Sequence, residues 1–262
     1  MPVTNATINR LINLIRPANR ALSLASHPSS IYTSPSSPKP VKMAEKLSSI
    51  PPKTSIFYKS SSLRKQSSLV YVGPTKDSPL YAMTMHLAWS GRSDLTLHDG
   101  TDESAPPLAV AQSKSLMSVD SMFTLHTAEG REITEKLDAT MHLTTERYGF
   151  ALDVGGTMPE RFEWRISKGE EVAALQGWKY GLKLVRLDGQ VAEGEKRGSS
   201  SDGHEVVAAW AEPSINMANE IGRFELLGSA ARGELGPYFA ATALITAVRI
   251  WQVRWYIISA SH

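Results

Sequence analysis

The chain has 262 residues, room for one sizeable domain plus a tail, and its 42% hydrophobic content is too high for wholesale disorder and sufficient for a core. It has no cysteine, which removes disulfides, thiol catalysis and thiolate metal sites together and suits a reducing compartment. The net charge of +2 is uneven: Arg10, Arg16, Arg20, Lys39 and Lys42 stand in residues 1–44 without an acid, leaving 23 bases against 26 acids in the rest. A body with a net charge of −3 lacks the basic excess of a nucleic-acid footprint, so no nucleic-acid partner is expected.

The first forty-odd residues are Ser- and Pro-rich. Ile8, Leu11, Ile12 and Ile15 fall at helical spacing, with the arginines mostly off that stripe. Arg-rich, Ser-rich, acid-free and amphipathic is the composition of a mitochondrial transit peptide, and no unbroken apolar stretch suggests a secretory signal. The expected reading is nevertheless an untargeted disordered tail on a cytoplasmic protein, with mitochondrial targeting through residues 1–44 as the alternative, and Met43 is a further candidate start, where "MAEKLSSIPP" reads as a second N-terminus. Residues 1–54 are thus expected to form a disordered leader, and residues 55–262 the folded domain.

From Ser55 the period is two. Met83, Met85, Leu87 and Trp89 alternate with Thr84, His86 and Ala88. Leu95 and Leu97, Phe123 and Leu125, Phe150 and Leu152, and Phe162, Trp164 and Ile166 repeat the pattern, with Leu182, Leu184 and Leu187 in a similar run. Turn signals separate these runs at Gly73-Pro74, Asp99-Gly100, Pro106-Pro107, Glu129-Gly130, Gly155-Gly156, Lys168-Gly169 and Asp188-Gly189. Glu193–Gly203 reads as a polar loop, followed by strands at Glu205–Ala211 and Gly222–Gly228. Short strands with turns every eight to twelve residues predict a sandwich or barrel.

The last element differs. Tyr238–Val248 is uncharged, Arg249 interrupts it, and Ile250–Ile258 resumes with Gln252 and Arg254 as polar members. Pro237 suits a helix start, and the Ala-rich run favours helix over strand. A membrane tail anchor is the rival reading. Two arginines within the segment would each cost about 2.5–3.5 kcal/mol near a bilayer centre, so no transmembrane span is expected. A helix apolar nearly all round needs enclosure on every side, which a barrel lumen provides. Leu244, Ile245, Val248, Trp251 and Trp255 are the predicted core of that helix, and Arg249 and Arg254 should reach the barrel mouth or meet strand carboxylates.

The stretches "SPLYAMTMHLAW" (Ser78–Trp89), "DLTLHDG" (Asp94–Gly100), "RFEWRIS" (Arg161–Ser167), "GLKLVRL" (Gly181–Leu187), "GHEVVAAWAE" (Gly203–Glu212) and "ALITAVRIWQVRW" (Ala243–Trp255) resemble uncharacterised members of the tubby C-terminal-like superfamily, which includes the phospholipid scramblases and LURP-one-related proteins. The resemblance covers roughly Ser55 to Ile258. It implies an all-β closed antiparallel barrel of about 12 strands around a buried apolar C-terminal helix. In the tubby branch that fold is a phosphoinositide-binding module relying on paired basic residues. No Lys/Arg pair of this chain aligns with that pair, and the scramblases' acidic, calcium-associated segment is not evident. Catalysis is not part of the superfamily's description, so a non-enzyme is implied.

Candidate chemistry is sparse. His98 and Asp99, with Asp94, Asp102 and Glu103, form the best metal-like cluster, but EF-hand spacing is missing and a solvated hairpin turn explains them. His204-Glu205 opens like a zinc motif, yet position 208 is Ala208. No GxSxG, Walker loop or GxGxxG occurs, so no cofactor is expected. A Ser–His–Asp triad assembled from distant positions stays open, with six histidines beyond the leader. The tryptophans read as core packing rather than base-stacking platforms. Lys179, Lys183, Arg186, Arg161 and Arg165 could form one anion-binding patch for a lipid headgroup. The sequence therefore predicts a structural or protein-interaction barrel, with an anionic phospholipid-binding module as the alternative. Its partner is unknown.

Overall fold

In the computed structural model, the structure describes residues 50–59, 67–86, 94–113, 118, 120–127, 129–142, 145–190, 198–213 and 220–259. The leader's targeting, the start at Met43 and residues 193–197 of the Glu193–Gly203 loop fall outside the described residues.

Twelve antiparallel strands close into a barrel in chain order: β1 (Lys53–Tyr58), β2 (Ser67–Gly73), β3 (Tyr81–His86), β4 (Leu95–His98), β5 (Pro107–Ser113), β6 (Ser121–His126), β7 (Glu132–His142), β8 (Thr145–Leu152), β9 (Glu160–Ser167), β10 (Gly177–Gln190), β11 (His204–Pro213) and β12 (Glu220–Leu226). β12 pairs back onto β1, from Lys53↔Glu225 to Phe57↔Glu220, which closes the ring. Among the described residues three helices accompany the strands: α1 (Glu170–Ala173), α2 (Gly228–Ala231) and α3 (Phe239–Ser259). The fold starts earlier than expected, because β1 begins at Lys53 and Ile50 already belongs to the core.

The period of two becomes an inward face. Phe150 pairs with Phe162, Tyr148 with Trp164, Trp164 with Leu184 and Met83 with Leu97, each pair standing on the core side. Phe123, Phe150, Phe162 and Phe239 form a chain of ring contacts from strand wall to helix, with centroids 5.0–5.8 Å apart.

Helix α3 occupies the lumen. Every residue from Ala241 to Ile250 is at most 1% exposed, on all faces of the helix. It runs closest to β4, β5 and β6, where alanines on helix (Ala243, Ala247) and wall (Ala109, Ala111) are buried. Its hydroxyls are satisfied within the helix: Thr242 donates to the Tyr238 carbonyl at 2.9 Å and Thr246 to the Thr242 carbonyl at 2.7 Å. Trp164 Nε1 donates to Thr246 Oγ1 at 2.9 Å, tying wall to helix. Burying one aliphatic side chain contributes about 1.5–3 kcal/mol, so Leu244, Ile245 and Val248 together rival the net stability of an ordinary domain. Trp251 is 7% exposed, but Trp255 is only half-buried. There α3 leaves the mouth, and the Trp255 ring packs edge-on against Tyr256 with centroids 5.5 Å apart. Among the described residues, no helix is long and apolar enough to cross a membrane.

Two turn assignments need correction. Asp188-Gly189 does not end a strand, since β10 runs through to Gln190. Pro107 is the first residue of β5, a place where a strand tolerates the missing N–H. The short helix α1 covers the outer side of β10 and β11, where Val172, Leu175, Val206, Ala209, Ala211 and Leu227 form a second apolar cluster. Gly181 makes this approach possible: a Cβ there would lie 2.7 Å from Val172 and 2.3 Å from the Trp210 carbonyl oxygen.

Candidate functional site

The outer face of β8–β10 carries a row of charged side chains. Arg147 lies opposite Arg165, and Arg165 opposite Lys183, so three cations form a cross-strand row. Like charges directly opposite repel, and carboxylates interleave to offset this. Glu163, two residues before Arg165 and on the same face, accepts from Arg165 Nε at 2.6 Å and from Arg147 at 3.2 Å. Asp202 accepts from Arg165 at 2.7 Å. Burial alone would raise the Asp202 carboxyl, but the Ser200 hydroxyl and Arg165 outweigh it and hold it at about 2.

The five-residue cation patch expected from the sequence does not assemble. Arg186 pairs with the core residue Phe162, whereas Lys183 pairs with outward Arg165, because residues three apart on a strand fall on opposite faces. Arg186 turns to the barrel end where α3 begins and binds Glu160 through two nitrogens at 2.5 and 2.7 Å, with Glu205 at 3.4 Å. Glu205 is itself buried and receives the Ser229 amide at 2.6 Å and its hydroxyl at 2.8 Å, fastening the first turn of α2. Arg161 is exposed on the outer face, and its backbone N–H is held by Asp188 at 3.0 Å. The Lys179 side chain lies outside the described residues.

The metal-like cluster also disperses. Asp94 and His98 stand at opposite ends of β4. His98 is buried and uses one ring nitrogen towards Thr84 Oγ1 and the other towards the Ala105 carbonyl, each at 3.0 Å. Asp102 caps its own turn through the Ser104 amide at 2.8 Å.

Both helix arginines meet carboxylates. Arg254 lies 3.7 Å from Glu146 at the mouth. Arg249 is 1% exposed and lies 3.3 Å from Asp94. It donates to Ser121 Oγ at 3.0 Å, the Ser118 carbonyl at 3.1 Å and Gln252 Oε1 at 2.7 Å. Asp94 in turn receives the Ser113 amide at 2.7 Å and its hydroxyl at 2.6 Å. Burial pulls the Arg249 guanidinium down from its usual value, and Asp94 opposes this. The network holds α3 in one register against the wall.

Sequence reasoning missed Glu163, Asp202, Glu160 and Glu205 as partners of the cations. Arg161, Glu163 and Arg165 alternate with core residues, so their common face was readable. The other contacts depend on register between distant strands.

No family model matches the chain, and neither a curated protein nor a solved structure matches it.

Proposed function

We propose that this chain is a non-catalytic barrel of the tubby-like type that acts as a protein-interaction module through its outer surface and its ends. The observation that carries this reading is the filled lumen. The space where a barrel would hold a small ligand is taken by residues 241–250 of α3, all essentially without solvent contact. The charge pairing supports it further: on the outer face Arg147 and Arg165 are occupied by Glu163 and Asp202, and at the barrel end Arg186 is occupied by Glu160.

The second reading is an anionic-headgroup module, favoured by the row Arg147–Arg165–Lys183, where three cations face two carboxylates. Each cation near an anionic surface contributes only about 1 kcal/mol. Vesicle flotation separates the readings. The full chain and residues 50–262 are mixed with phosphatidylserine vesicles, with and without a phosphoinositide, at physiological salt. The interaction-module reading expects residues 50–262 to stay at the bottom of the gradient. Flotation that depends on the phosphoinositide and disappears in Lys183→Glu establishes the headgroup reading instead.

A further inference from the structure

The β7–β8 seam of the barrel wall is paired over only part of its length. β7 and β8 are in register only from Asp138↔Gly149 to His142↔Thr145. Before Asp138, β7 pairs with β6 on its other side, from Glu132↔His126 to Leu137↔Ser121. Extending the β7–β8 register would set Leu137 opposite Phe150, Glu135 opposite Leu152 and Ile133 opposite Val154, but no such pairs form among the described residues. The end of β8 is instead paired on its far side with β9, through Leu152↔Glu160.

The inward side chains report the same opening. Glu135 lies opposite Phe123, and Ile133 opposite Leu125, so both belong to the inner face. Phe123 and Leu125 are at most 1% exposed, whereas Ile133 and Glu135 are half-buried. Ile133, Val154 and Tyr238 pack against the core while staying partly accessible. Alternate residues of an antiparallel strand point their N–H and C=O groups to opposite sides, so roughly half of those in Glu132–Leu137 point into the seam. An open strand edge is a template for another strand.

The charge at this edge selects the occupant. Burial raises the Glu135 carboxyl, and no cation pairs with it among the described residues. Lys136, its neighbour, is on the outer face and engaged by Asp138. Glu129, in the turn before β7, accepts from the Thr127 hydroxyl and from the Tyr238 hydroxyl, the latter at 3.4 Å. A partly buried carboxylate is stabilised by a cation that arrives with its own hydrogen bonds.

We propose that the seam between Glu132–Leu137 and the end of β8 receives an extended peptide segment of a protein partner by strand addition, with a Lys or Arg of that segment meeting Glu135 on the inner face. The proposal rests on the protein-interaction reading and gives it a site.

The test uses the full chain and three capped, fluorescent heptapeptides of alternating valine and threonine. One has a central lysine, one a central glutamate, and the third is the lysine peptide N-methylated on alternate residues to remove backbone donors. The expected result is saturable anisotropy with the lysine peptide and slower amide exchange confined to Glu132–Leu137 and the end of β8. The glutamate and N-methylated peptides should bind about tenfold or more weakly, the effect of losing one charge pair or a set of backbone bonds. Glu135→Gln should abolish the preference for lysine over glutamate while leaving the N-methylated peptide weak. Absence of binding by the lysine peptide, or equal binding of the N-methylated one, overturns the proposal, and the interaction-module reading then stands as long as vesicles do not float the barrel. Phosphoinositide-dependent flotation overturns that reading itself, whatever the peptides do.

Discussion

Arg249 of the core helix and Asp94, just before β4, form an ion pair at 3.3 Å with side chains only 2% and 3% exposed. They lie 155 positions apart in the chain, and the pair is stitched into Ser113, Ser121 and Gln252 on both sides. A uniformly apolar helix could slide or rotate in an apolar barrel. One charged group that finds its partner at a single depth removes that freedom.

The first prediction follows from this geometry. Asp94→Ala leaves the Arg249 guanidinium buried and unpaired, which costs about 3–5 kcal/mol. Arg249→Met removes the charge but leaves the Asp94 carboxylate buried, with Ser113 as its remaining support. It should also destabilise by several kcal/mol, on the order of the same figure. The double variant should lose less than the sum of the two. Urea denaturation of the four proteins measures the coupling, and additive losses would show that the pair does not fix α3.

Deleting residues 237–262 should unfold the barrel rather than free a soluble one. Leu244→Ala should cost about 2–5 kcal/mol, because truncating a fully enclosed side chain leaves a cavity in the core. Leu244→Asp should abolish the cooperative transition by burying an unpaired charge. A truncated chain that keeps its β spectrum and loses only a membrane association would contradict the enclosed-helix architecture.

Much of this architecture was legible in the sequence because hydrophobic alternation is local. β3, β4, β6, β8 and β9 showed it plainly, and the uncharged run at the end pointed to an enclosed helix. β7 was missed for a reason that matters. Its inward positions are Ile133, Glu135, Leu137 and Ala139, and the Glu135 carboxylate breaks the apolar pattern where β7 pairs with β6 but not with β8. β5 was hidden by Pro107, which looks like turn chemistry but opens the strand. The fate of the cations was not legible. Lys183 and Arg186 look adjacent in sequence, yet pleating sends them to different faces, and only cross-strand register brings Glu160 to Arg186 and Asp202 to Arg165.

A third prediction concerns packing inside β11 and β12. Gly222 stands beneath the Trp210 ring, and a Cβ there would come within 2.2 Å of it. The Trp210 side chain is 1% exposed and cannot swing into water. Gly222→Ala should therefore destabilise by about 1–3 kcal/mol through overpacking. Trp210→Phe removes both the obstructing ring and a buried indole N–H that has no acceptor among the described residues. It should restore part of the loss when combined with Gly222→Ala. Thermal melts of the single and double variants decide this, and a double variant no better than Gly222→Ala alone rules the clash out.

The last prediction is the pH response of the outer charge row. The folded-state value of Asp202, about 2, lies below its ordinary 3.8. A carboxylate with a depressed value stabilises the fold above its unfolded value, and that contribution fades as the pH falls towards the folded one. The Asp202 contribution is therefore complete above about pH 5 and lost between there and pH 2. Glu212 and Glu135 run the other way, because burial raises both. They favour the fold when protonated, and that benefit declines as the pH rises through their folded values. Acidification thus weakens the Arg165–Asp202 contact while relieving the two half-buried carboxylates. Asp202→Asn should be less stable than the parent at neutral pH, and the two proteins should converge as the pH approaches 2. Glu212→Gln should instead gain on the parent as the pH rises above the ordinary carboxylate range. Chemical denaturation at a series of pH values reads both differences. A gap between parent and Asp202→Asn that stays constant from neutral to acid pH would mean that neither the Ser200 hydroxyl nor Arg165 holds the Asp202 carboxyl below its ordinary value.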